Sequence, residues 1–458
     1  MYAVTSGTTA EPKLLPVTRR MLKDYQRNQA IFSLLQYQHR PAAFYGRYLG
    51  IVGGAVEGTT QSGTPYGSIS GVLNGRMPRL AQYKYTTPAA IFELEDYQLK
   101  YYLVLRLALM HRNLSYIVCA NPSTLLKLES LVNAGLESFI EEIAQGKLRA
   151  LPARDALTRE LRRELAVLTR PRPERARELK ALLGRLPKVR LQDLWPELEM
   201  VTTWKGGSCT IALRALEQSI SPATALVDLG YLCSEFRGTF TYDHASGAGI
   251  PSLQDNFFEF VSVKERHAGV QHYLTLDQLA AGEEYYIFVT TRGGLYRYDM
   301  NDIVRAEKFL QRTPLLRFVQ KGRGVTSITG EKLYENQVIK AVAAALQAAG
   351  MESSFYIMTA DREAPGYCLY IESDGLSSAG VEKFARHVEQ QLYRINLEYK
   401  AKRGSGRLAP LEVRLLQPGC NEHFRADCVH RGQKEGQFKV VALQYRDELL
   451  FDFDRCVL

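Results

Sequence analysis

Apolar positions along the chain recur at two spacings, and the order of those spacings sets the expected architecture. Residues 14–18 read as a short strand that ends at an N-cap, Thr18. Met21, Tyr25 and Ile31 then keep helical spacing to about Gln38. Residues 47–52 read as a strand. The glycines Gly53, Gly54, Gly58, Gly63, Gly67 and Gly71 that follow match no dinucleotide fingerprint, so they predict a hairpin and loop. Residues 93–111 predict an amphipathic helix and residues 114–120 a buried strand. Asn121-Pro122-Ser123 caps a further helix through Leu125, Leu128 and Val132. Helix and apolar strand in alternation imply a mainly parallel sheet covered by helices.

Between residues 149 and 190 the composition turns to Arg, Leu and Glu, with Leu157, Leu161, Leu165 and Leu168 at helical spacing. Interleaved glutamates and missing aromatics favour solvated faces of two helices over a nucleic-acid surface. Residues 208–213, 239–242, 257–263 and 285–291 read as strands separated by turns, which suits a small barrel or a second sheet. Glycines among charges at Gln320-Lys321-Gly322-Arg323-Gly324 mark a domain boundary, giving a large domain 1–322 and a small one 323–458. The small domain reads as helix 335–349, strand 354–359, strand 367–372, helix 379–394 and strand 411–416, a compact α+β module.

Composition narrows the class. With 458 residues, 46% apolar and 23% charged, the chain suits a soluble globular protein of about two domains. Its net charge of +9 suits an anionic ligand, but a generally basic surface explains it as well. Seven scattered cysteines suggest reduced thiols and a cytoplasmic location, and no signal peptide opens the chain. Arg106, His111 and Arg112 interrupt the most apolar stretch, so no membrane span is expected. Cys420, His423, Cys428 and His430 lack the spacing of structural zinc sites and read as loop thiols and histidines.

Four clusters carry chemistry. Val4-Thr5-Ser6-Gly7-Thr8-Thr9-Ala10-Glu11-Pro12-Lys13 offers hydroxyl and N–H donors around a glycine, with a lysine nearby, as a phosphate-gripping turn requires. It lacks Walker A spacing, which disfavours a P-loop NTPase. Asp228-Leu229-Gly230-Tyr231-Leu232-Cys233-Ser234-Glu235 delivers an aromatic for a purine, a hydroxyl for a phosphate and a carboxylate for Mg²⁺. In Gly293-Gly294-Leu295-Tyr296-Arg297-Tyr298-Asp299-Met300-Asn301-Asp302, a strand runs into an Asp-rich turn whose Asp302 has two oxygens for two ribose hydroxyls. Ser327-Ile328-Thr329-Gly330-Glu331-Lys332-Leu333 opens the small domain and places a point cation, Lys332, on a segment that a hinge could swing. Each cluster alone also reads as ordinary turn or core.

Taken in this order, the four resemble the motifs of the Gretchen Hagen 3 (auxin-conjugating) acyl-acid amido synthetases, adenylate-forming relatives of firefly luciferase and the acyl-CoA ligases. The resemblance covers essentially the whole chain and includes Trp204-Lys205-Gly206-Gly207-Ser208 and Phe257-Phe258-Glu259-Phe260 near the family's acyl site. It implies an α/β fold with α+β elements: a large adenylate-forming domain with sheets, a small barrel and covering helices, plus a mobile α+β domain. It implies ATP contacts from Ser6, Gly7, Thr8, Thr9, Tyr231, Cys233, Ser234, Asp302 and Arg323, and Mg²⁺ on Glu235. Lys332 and Glu235 would be catalytic, and Trp204, Gly206 and Phe258 would meet the acyl substrate. Lys439 resembles a lysine of the family's C-terminal segment. Ala10 stands where the family usually has glycine, and Cys233 where it has another small residue.

The activity implied is adenylation of a carboxylic acid followed by acyl transfer to an amino acid or other amine, with no nucleic-acid or membrane partner. Relatives carry a substantial segment ahead of the hydroxyl motif, where this chain has Met1-Tyr2-Ala3-Val4. The expectation is therefore a bacterial-type member shortened at its N-terminus. Two alternatives stand beside this reading: an acyl-CoA ligase with a thiol acceptor, and a shortened, inactive relative that binds nucleotide or a partner without turnover.

Overall fold

The chain divides into two compact units, one formed by Met1–Trp204, Leu216–Phe257 and Thr291–Leu295, the other by Lys205–Ala215, Phe258–Thr290 and Tyr296–Leu458. The computed structural model describes residues 1–4, 14–148, 157–206, 209–322, 324–326, 328, 331, 333–377, 380–404, 406, 408–431, 438 and 440–458.

Parallel pairing dominates the first unit. Strands Arg47–Ile51, Leu114–Cys119, Met200–Thr203 and Ala225–Asp228 lie side by side in chain order, each pair parallel. Parallel neighbours need long crossovers, and helices Tyr97–Leu109 and Pro122–Gln145 lie in two of them. Thr18 caps the helix Arg19–His39 by accepting from the Met21 N–H at 3.1 Å. Asp96 and Asn121 cap the Tyr97–Leu109 and Pro122–Gln145 helices in the same way. The Tyr97–Leu109 helix is less amphipathic than its spacing predicts: ten of its thirteen residues are buried. Arg106, fully buried, faces Glu142 at 3.4 Å and donates to the Glu142 carbonyl at 2.8 Å. The Arg/Leu/Glu stretch forms two helices, Arg159–Leu168 and Pro173–Leu183.

A second, small sheet in this unit has Tyr2–Val4 between Leu14–Pro16, antiparallel, and Pro65–Gly67, parallel. Gly58–Thr59 and Pro65–Gly67 form the hairpin expected in the glycine-rich stretch. Thr239–Asp243 and Ala248–Pro251 form another antiparallel pair.

In the second unit, Glu284–Thr291, Tyr298–Leu310 and Thr313–Lys321 pair antiparallel. Of the strand expected at 208–213, residues 209–213 are helical instead. The helix Cys209–Ser219 runs there, because Ala212, Leu213, Leu216 and Ile220 bury at helical spacing, which overrides the strand-like Thr-Ile start. The Asp-rich turn is also corrected: Tyr298 to Leu310 is one strand, kinked at Asn301, whose φ is +49°.

The C-terminal module is a four-stranded sheet in the order Glu412–Leu415, Gly366–Glu372, Phe355–Asp361, Leu443–Tyr445. Alternation along its central strands splits two cores. Tyr356, Met358, Ala360, Leu369 and Ile371 pack with helices Glu335–Ala349 and Val381–Ile395. Phe355, Ile357, Cys368 and Tyr370 pack instead with Cys420 and Phe424. Cys420, His423, Cys428 and His430 therefore sit on a helix, Cys420–His430, and not in a loop.

Candidate active site

The turn that carries Tyr231 to Glu235 leaves the last parallel strand through a left-handed glycine. Gly230 has φ +78°, and its N–H reaches the Asp228 carboxylate at 2.6 Å. Tyr231 then donates its N–H to the Thr239 hydroxyl at 2.9 Å, and its carbonyl accepts from Gly238 at 2.7 Å. A Cβ at Gly238 would stand 2.4 Å from the Tyr231 ring, so that position requires glycine. The Tyr231 ring is buried, edge-on to Phe236 at 5.4 Å. Cys233 and Phe236 close the turn with an N–H to carbonyl bond of 3.1 Å. Cys233, Ser234 and Glu235 remain partly exposed along it.

Two residues not expected at the site, Tyr25 (read only as a helix position) and Arg237, hold this turn from below. Tyr25, on the first long helix, donates its hydroxyl to the Cys233 carbonyl at 3.1 Å and lies 3.4 Å from that of Ser234. Burial raises its pKa well above 10, and Cys233 and Glu235 add to the rise. Arg237 is buried under the same turn. It donates to the Leu229 carbonyl at 3.0 Å, and its guanidinium lies 4.4 Å from the Phe32 ring centre and 5.4 Å from that of Phe240. Desolvation lowers its pKa to about 10, and the ring faces offset part of that burial. Trp204 belongs to the same neighbourhood, packed against the cluster of Phe32, Leu229 and Phe240.

In the second unit, Arg297 holds a left-handed φ of +41° and grips Glu259 with two bonds of 2.9 and 2.6 Å. Arg266 pairs with Asp299 at 2.7 Å, and Asp299 in turn accepts from the Asn301 N–H at 2.8 Å. These contacts fix the kink that precedes Asp302, which is buried and lies in register with Lys321. Gly322 is required beside it, since a Cβ there would meet the Asn301 side chain at 2.3 Å. Phe258 is buried with its ring 6.5 Å from that of Phe260. Gly206 lines a cavity and sits against Phe318.

Lys332 itself lies outside the described residues, but both neighbours are anchored. Leu333 is wholly buried in the C-terminal core. Glu331 is also wholly buried and accepts from the Ile328 N–H at 2.8 Å and from the Tyr367 hydroxyl at 2.6 Å. Tyr367 lies 3.0 Å from the Thr326 hydroxyl, and burial with the Glu331 contact raises its pKa far above the usual value. Ser6, Gly7, Thr8, Thr9, Ala10, Lys13, Arg323 and Lys439 also lie outside the described residues. Val4 and Leu14, which flank the hydroxyl run, are register partners, so its two ends are held side by side. Among the described residues, no three His, Cys, Asp or Glu side chains gather as a metal site, and no helix is long and apolar enough to cross a membrane. Glu235 offers a single accessible carboxylate. That fits Mg²⁺ carried mainly by phosphates, and does not make an all-protein cage.

Comparison with known proteins reaches the same segments. Models described as the GH3 family N-terminal, central and C-terminal domains match residues 1–224, 250–321 and 336–447. The chain is 24% identical over 471 residues to an indole-3-acetic acid-amido synthetase of Oryza sativa subsp. indica, covering 96% of this chain and 76% of that protein. It is 23% identical over 469 residues to a jasmonoyl–L-amino acid synthetase of Nicotiana attenuata, covering 95% and 78%. Among solved structures, a GH3.15 acyl acid amido synthetase superposes with a TM-score of 0.85 at 23% identity, over 100% of this chain and 81% of that one. A 2-hydroxyisobutyryl-CoA ligase in complex with its acyl-AMP shares the fold at a TM-score of 0.50 and 11% identity, over 98% and 74%.

Proposed function

Because the chain belongs to the GH3 family, we propose that it is an ATP-dependent acyl-acid amido synthetase. It would join a small carboxylic acid to an amino acid or other amine. The observation that carries this reading is the Tyr231–Glu235 turn, braced by Tyr25 and Arg237, in a chain whose family match includes all three domains. In the first half-reaction the acid's carboxylate oxygen attacks the α-phosphorus of ATP and pyrophosphate leaves, giving an acyl-adenylate. The protein's part is positioning and charge neutralisation.

Ser6, Gly7, Thr8 and Thr9 would hold the phosphates, with Cys233 and Ser234 beside them. Tyr231 would border adenine, Asp302 would bind ribose, and Arg323 would contact the nucleotide. Glu235 would hold Mg²⁺, which supplies charge neutralisation at the phosphates. Lys332 would stabilise charge developing at the α-phosphate, and the buried Glu331 and Leu333 on either side support a fixed reach for it. Trp204, Gly206 and Phe258 would shape the acyl pocket. We place the boundary of a mobile C-terminal domain at residues 322 and 323, a reading supported by the central family match ending at 321 and the next starting at 336. None of the seven cysteines is in a disulfide, which suits a reducing cytoplasm.

The test is pyrophosphate release with ATP, Mg²⁺ and a pool of aromatic and aliphatic acids, with hydroxylamine as surrogate amine. Acid-dependent release with hydroxamate formed is expected. ATP binding without release would overturn the enzymatic reading, and a strict requirement for CoA in place of amino acids would replace the amide-forming half.

A further inference from the structure

The second unit contains a cavity of about 240 Å³ on which five cations converge: Lys205, Arg214, Arg305, Arg317 and Lys340. Two of them carry carboxylates, since Arg305 pairs with Glu284 and Arg317 with Glu307, each at 2.5 Å. Arg214 donates to the Ala343 carbonyl at 3.2 Å, and Lys340 is exposed at the rim. Among the described residues, no carboxylate lines the cavity itself. Glu335, a buried acid on the helix that supplies Asn336, Ile339, Lys340, Ala343 and Leu346, accepts from the Ala442 N–H at 2.6 Å. Val319, Ile339, Ala343, Leu346 and the buried Tyr356 give the remainder an apolar floor, and Thr210, Asn336 and Ser353 add neutral polar groups.

Such a lining suits a small molecule with an anionic head and an apolar body. Its position along the chain points the same way. Lys205 and Gly206 directly follow Trp204, Arg305 lies three residues beyond Asp302 on one strand, and Asn336 lies four beyond Lys332.

We propose that this cavity binds the amino-acid acceptor, its cations holding the carboxylate and favouring the uncharged form of the amine. The proposal rests on the amide-forming reading above. An ammonium has no lone pair with which to attack, and a cation-rich, partly apolar site disfavours it relative to the neutral amine. The neutral nitrogen would attack the acyl carbonyl carbon, and the bond from that carbon to the phosphate oxygen would break. AMP would leave with the electron pair, and the nitrogen's extra proton would pass to solvent. A cationic cavity thereby does part of the work of a general base.

The test reverses charge at the two exposed cations, Arg214→Glu with Lys340→Glu, against the charge-keeping pair Arg214→Lys with Lys340→Arg. In the first variant the acceptor KM is expected to rise roughly tenfold or more, with the pH profile of kcat/KM for the acceptor displaced upward by about one unit. The charge-keeping pair should stay close to the wild type. An unchanged KM and pH profile in the reversed variant would overturn the proposal. Pyrophosphate release without acceptor, read on the same preparations, separates the two ideas: its absence in the wild type defeats the enzymatic reading alone. The cavity is then judged by saturation-transfer NMR with an equimolar pool of the twenty amino acids. Transfer that is lost on charge reversal supports it, and no transfer, or transfer indifferent to charge, sinks it.

Discussion

A buried tyrosine hydroxyl steadies a candidate site segment in each unit, but the two do so through different acceptors. Tyr25 donates to main-chain carbonyls of the turn ahead of Glu235. Tyr367 donates to the carboxylate of Glu331, one residue before Lys332. A neutral hydrogen bond contributes about 1 kcal/mol net, and one to a buried charge about twice that or more. The second arrangement is therefore the firmer one, and also the more brittle. A carbonyl that loses Tyr25 keeps much of its solvation near a partly exposed turn, whereas Glu331 has no access to water.

The largest break should come from Glu331→Ala, which removes the acceptor of both the Tyr367 hydroxyl and the Ile328 N–H. We expect a loss of about 3 kcal/mol in stability of the C-terminal module, read by urea denaturation with hydrogen exchange resolving the segment. Tyr367→Phe removes one donor from a buried carboxylate and should lose about 2 kcal/mol. If it costs no more than Tyr25→Phe, the distinction between charged and neutral acceptors fails.

Acid should weaken the first unit without touching either tyrosine. Burial and three neighbouring arginines lower the His111 pKa to about 4, from an ordinary 6.5. The unfolded chain takes the proton first, so this contribution is intact above pH 6.5 and is lost as pH falls toward 4. After discounting for partial exposure it amounts to roughly 2 kcal/mol. A His111→Gln variant should show a flatter stability curve between pH 6.5 and 4; an unaltered curve would assign the acid sensitivity elsewhere. Tyr25→Phe is the mildest change, at about 1 kcal/mol, and should raise the KM for MgATP a few-fold more than it alters stability. An equal effect on the KM for the acid would mean that Tyr25 supports the unit as a whole and not this turn.

The local grammar of the chain was readable. Thr18 and Asn121 cap where hydroxyl and amide residues precede apolar periodicity, and the small domain's helix starts at Glu335 as its spacing predicts. Misreadings arose where local signals conflict with tertiary burial. Cys209 to Leu213 has a strand-like start yet coils because its apolar residues bury on one helical face. Asp299, Asn301 and Asp302 look like a turn, but the sheet continues through them at the expense of one left-handed residue. The braces were invisible for another reason. Tyr25 lies 208 residues from Cys233, Arg297 lies 38 from Glu259, and Glu331 lies 36 from Tyr367. Nothing in spacing along a chain reports which of 26 tyrosines will meet which backbone.

The pairing of Val4 with Leu14 makes the intervening nine positions an exchangeable cassette. Their two ends are fixed to a shared ladder that Pro65–Gly67 supports from its other side. The entropy of bringing the two ends together is thereby met by strand pairing and not by a ligand. Substituting an entire nine-residue run from a relative, Gly for Ala10 included, is expected to leave the flanking ladder intact, as hydrogen exchange at Tyr2–Val4 would show. On the proposed role of residues 6–9, phosphate affinity is then expected to vary with the insert alone.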